Sequence, residues 1–425
     1  MDEPLLREIA ERYLLPFFSG ARLEPQAEVS SASEKTVAFV VNQQTIGFKI
    51  NKHDGYRLLI RRDQSFSAAT SPAGEFNLIQ AFVDCLSSME SILTQDLKDE
   101  FLSTFQRRVI AKAIAPEGKY KTILSAIDQI SLWASRLYEG APICSAIGIS
   151  PDAENPSSLT LQSIGNGDFG AVLSNGIDTL LEFNQDLEFV KHHVLDLPSN
   201  TEKVSPWRHR AIAEWTNGSV GRVALVLNRL GEILIFIHGQ LLFAKRSGTW
   251  HFLTHDPVVS QMSVPKNPNV RQAIYETLLD ASFARTGACI GVVRHRASQS
   301  WTELVNITDR LDPTTSDKAA TIKRIIGDRL FHELPRALRQ ELVAIDGSTV
   351  MDHTGKILAV GAILRLPGGS TSGGRTAAAI ELGKLGLGVK VSQDGGITGY
   401  LHAKDNDKDK DKDKDNSNIP AFRTM

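Results

Sequence analysis

Cysteine is scarce: Cys85, Cys144 and Cys289 are the three in a chain of 425 residues. Thiols so few and so scattered build no disulfide framework. With no C-x-x-C pair and no His/Cys cluster they suggest no structural zinc either, and they read as small buried hydrophobes. Positive charge is not in excess. Lys and Arg number 47 against 49 Asp and Glu, a formal net charge of -2, so no basic field exists to hold duplex nucleic acid. No apolar run reaches the length of a membrane span, and "MDEPLLREIAERYLL" puts acids where a signal peptide needs a basic region. The chain therefore reads as cytoplasmic, with no membrane partner. What is present is ordinary for globular proteins, 42% hydrophobic and 23% charged residues. At about 150 residues per domain the length predicts two to three domains.

Periodicity predicts an α/β protein of mixed sheets flanked by helices. Residues 1–105 form a small α/β module: Leu5, Leu6, Ile9, Tyr13 and Leu14 recur at helical spacing, ahead of strand-like "KTVAFVVNQQTIGFKI" and "YRLLIRR" and further helical patterns. From 106 to 262 a helix through Leu124, Ile127, Ile130 and Leu137 leads to the apolar run "APICSAIGIS". A hairpin-like "GAVLSNGIDTLLEF", a segment "PWRHRAIAEW" and the strands "GRVALVLN" and "EILIFIHGQLLF" follow. From 265 to 402 the order returns: helix "VRQAIYETLLDASFA", strand "GACIGVV", hairpin "STVMDHTGKILAVGAILRL", a Gly-rich loop with its helix, then "LGVKVSQDGGITGYL". Helix, strand, hairpin, loop-helix and strand pair recur in one order, which predicts a tandem duplication. Residues 403–425 are expected to be a disordered tail, because "KDNDKDKDKDKDNS" has no apolar residue to bury.

The Gly-rich stretch "GGSTSGGRTAAAIELGKLG" fits the phosphate-loop pattern G-x-x-x-x-G-K-[ST] at Gly369, Gly374, Arg375 and Thr376, with arginine for lysine. The Ala-rich run after Thr376 reads as a helix start, whose N–H groups and positive end would face an anion. A phosphate-loop NTPase then needs further strands, one with an acidic magnesium ligand. Residues 377–401 hold one helix and a strand pair before the charged run, so that reading fails.

Taken with what precedes it, the loop resembles the core of the diadenylate cyclase domain, the family that joins two ATP molecules into cyclic di-AMP. That family opens a hairpin with Asp-Gly-Ala and the next helix with Gly-Thr-Arg-His-Arg-Ala-Ala. Here the first motif stands as Asp346-Gly347-Ser348. The second stands as Gly373-Gly374-Arg375-Thr376-Ala377-Ala378-Ala379, without the histidine and second arginine. The resemblance spans about 265 to 402. In the preceding half, Arg208-His209-Arg210 before Ala211 is similar to the arginine-histidine-arginine motif, while Phe169 in "GDFGAVL" stands where the aspartate belongs.

The resemblance implies a site in which Asp346 ligates Mg2+ or Mn2+ and orients a hydroxyl. Arg208, His209, Arg210, Gly347, Ser348, Gly374, Arg375 and Thr376 would bind nucleotide and phosphate, with arginine forks at a helix start taking phosphate oxygens. Because each half lacks part of the motif set, it implies a sensor that binds ATP or a cyclic dinucleotide without making one, as in the sensor-type offshoots called DACNV domains. Such a sensor would answer to an effector that these motifs do not specify. The alternative is an active diadenylate cyclase-like nucleotidyltransferase with a composite site of Asp346 and Arg208 to Arg210.

Overall fold

In the computed structural model the described residues are 3–25, 37–49, 57–67, 74–89, 102–115, 119–154, 156–201, 203–297, 300–366, 373–401 and 420–425. The fold is mixed α/β, with four sheets among the described residues. The chain divides into two compact units, Met1–Thr254 and His255–Met425. Among the described residues no helix is long and apolar enough to cross a membrane.

The first unit opens with the helix Glu3–Ile9 and a four-stranded antiparallel sheet in the order Arg22–Leu23, Arg57–Arg61, Thr45–Lys49, Ala38–Asn42. These early residues do not keep a core to themselves. Phe17 meets Phe243 edge to face at 6.1 Å and Phe18 meets Phe252 at 6.5 Å, so one apolar cluster runs from Leu6 to Phe252. After helix α1 (Tyr120–Ala134), whose Ile123, Ile127 and Ile130 share one buried face, comes a seven-stranded sheet. Its strands are β1 (Ser145–Ile149), β2 (Thr179–Phe183), β3 (Phe189–Val194), β4 (Val223–Leu227), β5 (Ile233–Ile237), β6 (Gln240–Arg246) and β7 (Thr249–Phe252). Their order is β7-β6-β5-β4-β1-β2-β3, with only β1 and β2 parallel, and α2 (Arg210–Asn217) precedes β4. Two-residue turns with positive φ, His238-Gly239 and Ser247-Gly248, join β5 to β6 and β6 to β7. Such turns match the twist of antiparallel strands.

The hairpin expected within "GAVLSNGIDTLLEF" lies further on. Asp168–Val172 is a 3-10 turn, and the antiparallel arms are β2 and β3. Gly170 explains the turn: a Cβ there would overlap the carbonyl of Ile164 in the preceding helix, so the chain packs down as a turn rather than extending. Asn184 fixes the real corner, its Oδ1 accepting from the N–H groups of Asp186 and Glu188 at 2.9 Å.

In the second unit, the helix His255–Gln261 is tied to α3 (Pro268–Ala284) by His255 Nδ1 and the Tyr275 hydroxyl at 2.8 Å. Arg336 grips Asp280 of α3 with two buried hydrogen bonds of 2.6 and 2.8 Å. The sheet comprises β8 (Ala288–Val293), β9 (Ser348–Asp352), β10 (Ile357–Ala362), β11 (Gly386–Val391), β12 (Ile397–Leu401) and β13 (Phe422–Thr424). Its order is β10-β9-β8-β11-β12-β13, with β8 and β9 parallel and every other pair antiparallel. Helix α4 (Gly374–Leu385) runs into β11, and its small residues Ala378, Ala379 and Gly383 are buried.

Strand β13 corrects the expectation of disorder over 403–425. The charged stretch lies outside the described residues, but Phe422 is fully buried and Phe422–Thr424 completes the sheet edge, because "PAFRTM" carries the apolar side chains that the Lys-Asp run lacks. The strand order β6-β5-β4-β1-β2-β3 of the first unit and β13-β12-β11-β8-β9-β10 of the second are the same, pair by pair in direction.

Candidate functional site

In the second unit the candidate residues lie where β8 and β9 begin, β11 ends and α4 starts. Asp346 is exposed, and its Oδ1 accepts from the N–H of Gly347 at 3.1 Å. Gly347 has φ +106° and passes so close to Gly361 and Ala362 that a Cβ would lie 2.6 Å from the Gly361 carbonyl carbon, so this turn requires glycine. Ser348, which follows, is buried beside the thiol of Cys289. Burial pushes that thiol up to about 11. The Sγ lies 4.0 Å from the Arg375 carbonyl. The guanidinium of Arg375 lies over Gly287, Nη1 being 2.6 Å from where a Cβ would project.

Thr376 accepts a hydrogen bond from Lys390 Nζ at 2.8 Å, and Lys390 pairs with Cys289 across the ladder. Among the described residues no side chain caps α4, and Gly373 and Gly374 are exposed, with no described atom within 4 Å of where their Cβ atoms would sit. Ser348, Arg375 and Thr376 are thus brought into one group by Cys289 and Lys390, two residues the motifs did not point to. Gly369 lies outside the described residues.

In the first unit the tripeptide is turned inward. His209 is buried, its Nδ1–H donating to the Gly176 carbonyl at 2.7 Å and its ring 6.1 Å from that of Phe236. Burial holds it down to about 4, so at neutral pH it is uncharged and offers a phosphate no positive charge. Arg210 donates from Nε to the Pro198 carbonyl at 3.0 Å and from Nη1 to the Trp207 carbonyl at 2.9 Å, while its guanidinium stacks 4.1 Å from the Trp207 ring centre. Arg208 alone of the three is exposed. Trp215 is core: it packs against Gly148 and lies edge to face with His193 at 6.0 Å.

Strand register identifies a further residue. Gly148 and Gly291 stand within β1 and β8, each beneath a large helical side chain, Trp215 of α2 and Leu382 of α4 respectively, 2.7 Å from the projected Cβ. Their parallel partners are Glu182 and Val350. Four residues before these stand Asp178 and Asp346. Asp178, and not Phe169, is therefore the positional counterpart of Asp346. Phe169 instead lies exposed on an apolar groove of about 410 Å³ lined also by Leu159, Ile164, Leu173, Leu181 and Phe189, and none of the candidate residues lines that groove. Asp178 Oδ1 accepts from Asn175 Nδ2 at 2.7 Å, on the loop whose Gly176 receives His209. The clue in the sequence was the aspartate before the apolar run "TLLEF", hidden by the more strand-like "GAVL".

No family model matches the chain, and no curated protein does. Among the solved structures that match is a double mutant of DacA from Staphylococcus aureus, 19% identical, aligned over 32% of this chain and 83% of that one at a TM-score of 0.22. A likeness that low decides neither family nor activity.

Proposed function

We propose that this chain binds a nucleotide or cyclic dinucleotide by its phosphates, as a sensor, and that the second unit holds the site. The observation that carries this reading is the meeting of Lys390, Thr376 and Arg375 at the start of α4. Two cations beside the positive helix end suit a phosphate, and exposed Gly373 and Gly374 let it approach the backbone. Ser348 and the Asp346-Gly347 turn adjoin that group. The matching strand orders support a tandem duplication as the origin of the two units. Asp178 and Arg208 would then be the relics of the same site in the first.

A sensor is favoured over an enzyme because forming two phosphodiester bonds needs cationic donors for two leaving pyrophosphates. In the first unit His209 is neutral and Arg210 is committed to two carbonyls and Trp207. In the second, Thr376 and Ala377 stand at those places. The composite-site alternative depends on the same Arg210 and loses support with it. Among the described residues no three His, Cys, Asp or Glu side chains gather to hold a metal. Mg2+ or Mn2+ would fit only with Asp346 as a single carboxylate and phosphate or water as the other ligands, a manner of binding common for Mg2+.

Calorimetry with ATP and with cyclic di-AMP tests the reading. Arg375→Ala and Lys390→Ala should each weaken binding by about 1.5–3 kcal/mol, the usual worth of a charge-assisted hydrogen bond. Wild type given ATP and Mn2+ should form little cyclic di-AMP. Vigorous synthesis that disappears in Asp346→Asn would replace the sensor with the enzyme.

A further inference from the structure

We propose that the slot beside β12 is an exchange site: β13 of one copy of this chain leaves it, and β13 of a second copy takes its place. The first unit fills the same slot differently. There the corresponding slot, beside β5, is filled by β6 through the two-residue turn His238-Gly239. In the second unit the strand arrives only after residues 402–421, although Gly399 and Phe422 are direct partners across the ladder. Antiparallel neighbours need a connection of about 2–5 residues. Twenty residues could extend about 66 Å, enough to reach a neighbouring molecule.

The slot is built for one sequence. The Phe422 ring lies on Gly399, where any Cβ would overlap it, and Ala421 N–H donates to the Gly399 carbonyl at 2.8 Å. Phe422 and Thr424 are buried, while Arg423 between them is exposed. Alongside, the Ser282 hydroxyl donates to the Gly395 carbonyl at 2.6 Å and lies 3.9 Å from the Met425 sulfur. A socket that selects Ala-Phe-Arg-Thr accepts that sequence equally from its own chain or another copy. The choice is set by effective concentration, which falls as the connection lengthens. Residues 404–417 carry no apolar side chain. An exchanged strand makes every contact the home strand makes, so exchange costs little beyond association.

Thr398 and Arg423 are ladder partners, half-exposed and exposed, which gives a direct test. Full-length Thr398→Cys and Arg423→Cys chains are mixed under mild oxidation, with a mixture of unsubstituted chains as the control for the native thiols. The expected result is a covalent heterodimer whose yield rises with concentration. Adding Phe422→Ala to the Thr398→Cys chain, which weakens its hold on its own strand, should raise the yield severalfold. Adding it to the Arg423→Cys chain should lower the yield by at least tenfold. The proposal is overturned if the mixture gives no heterodimer while one chain carrying both cysteines closes on itself. It is overturned equally if neither bond forms.

Discussion

The two units put opposite chemistry at the same end of the same strand order. Ala146 faces Val226 across the first ladder and His209 seals against Gly176; at the corresponding places in the second unit stand Cys289, Lys390 and Thr376. The first end is closed by a neutral imidazole and apolar side chains, the second is left polar and cationic. Backbone register decides where such a place falls. Side chains decide whether it is walled off or left polar, so a shared fold does not by itself carry a shared activity.

The two units differ most in what their helix seats tolerate. Ala224 and Gly388 are counterparts, opposite Gly148 and Gly291, yet a Cβ at Gly388 would overlap the Ala379 carbonyl. Gly388→Ala should therefore cost about 3 kcal/mol in a urea titration, the upper range for overpacking, whereas the first unit already accepts alanine. A cost below about 1 kcal/mol would mean that α4 moves away freely.

A comparable effect should come from acid, and in the first unit. The unfolded imidazole of His209 takes its proton near 6.5, the folded one only near 4, so the unfolded state binds more protons throughout that window. Stability is thus full above pH 6.5 and falls as the pH drops toward 4, by up to about 3 kcal/mol. His251, also in the first unit and held down to about 4 by burial, acts in the same direction. Hydrogen exchange across this range should show protection lost in β4 and β5. Protection lost first in β11 and β12 would contradict the assignment. Smaller still is the difference within the tripeptide. Arg210→Lys should cost about 1–2 kcal/mol through its stack and fork, and Arg208→Ala no more than about 0.5 kcal/mol, in thermal unfolding.

Much of this architecture is legible in the sequence because it rests on short-range pattern. Ile123, Ile127 and Ile130 announce α1, and "STVMDHTGKILAVGAIL" announces β9 and β10 around their turn. What escapes is whatever depends on register between distant strands. Lys390 and Cys289 are 101 positions apart and meet because β8 and β11 pair as they do. Nothing local in "GVKVS" distinguishes a lysine that meets Thr376 from a solvated one. Asp178 was hidden for the same reason, and β13 because three residues are too few for periodicity to show. The inward turn of His209 depends on Gly176 and Phe236, which pattern alone does not bring beside it.

The late arrival of β13 has a consequence during synthesis. The twenty residues between Leu401 and Phe422 are made after β12, and until Phe422 docks β12 is a bare sheet edge open to any passing strand. The segment made in that interval is the Lys-Asp run. Charged, unbranched and poor at pairing as a strand, it is the composition that discourages other nascent chains from adding to the edge before Phe422 reaches Gly399.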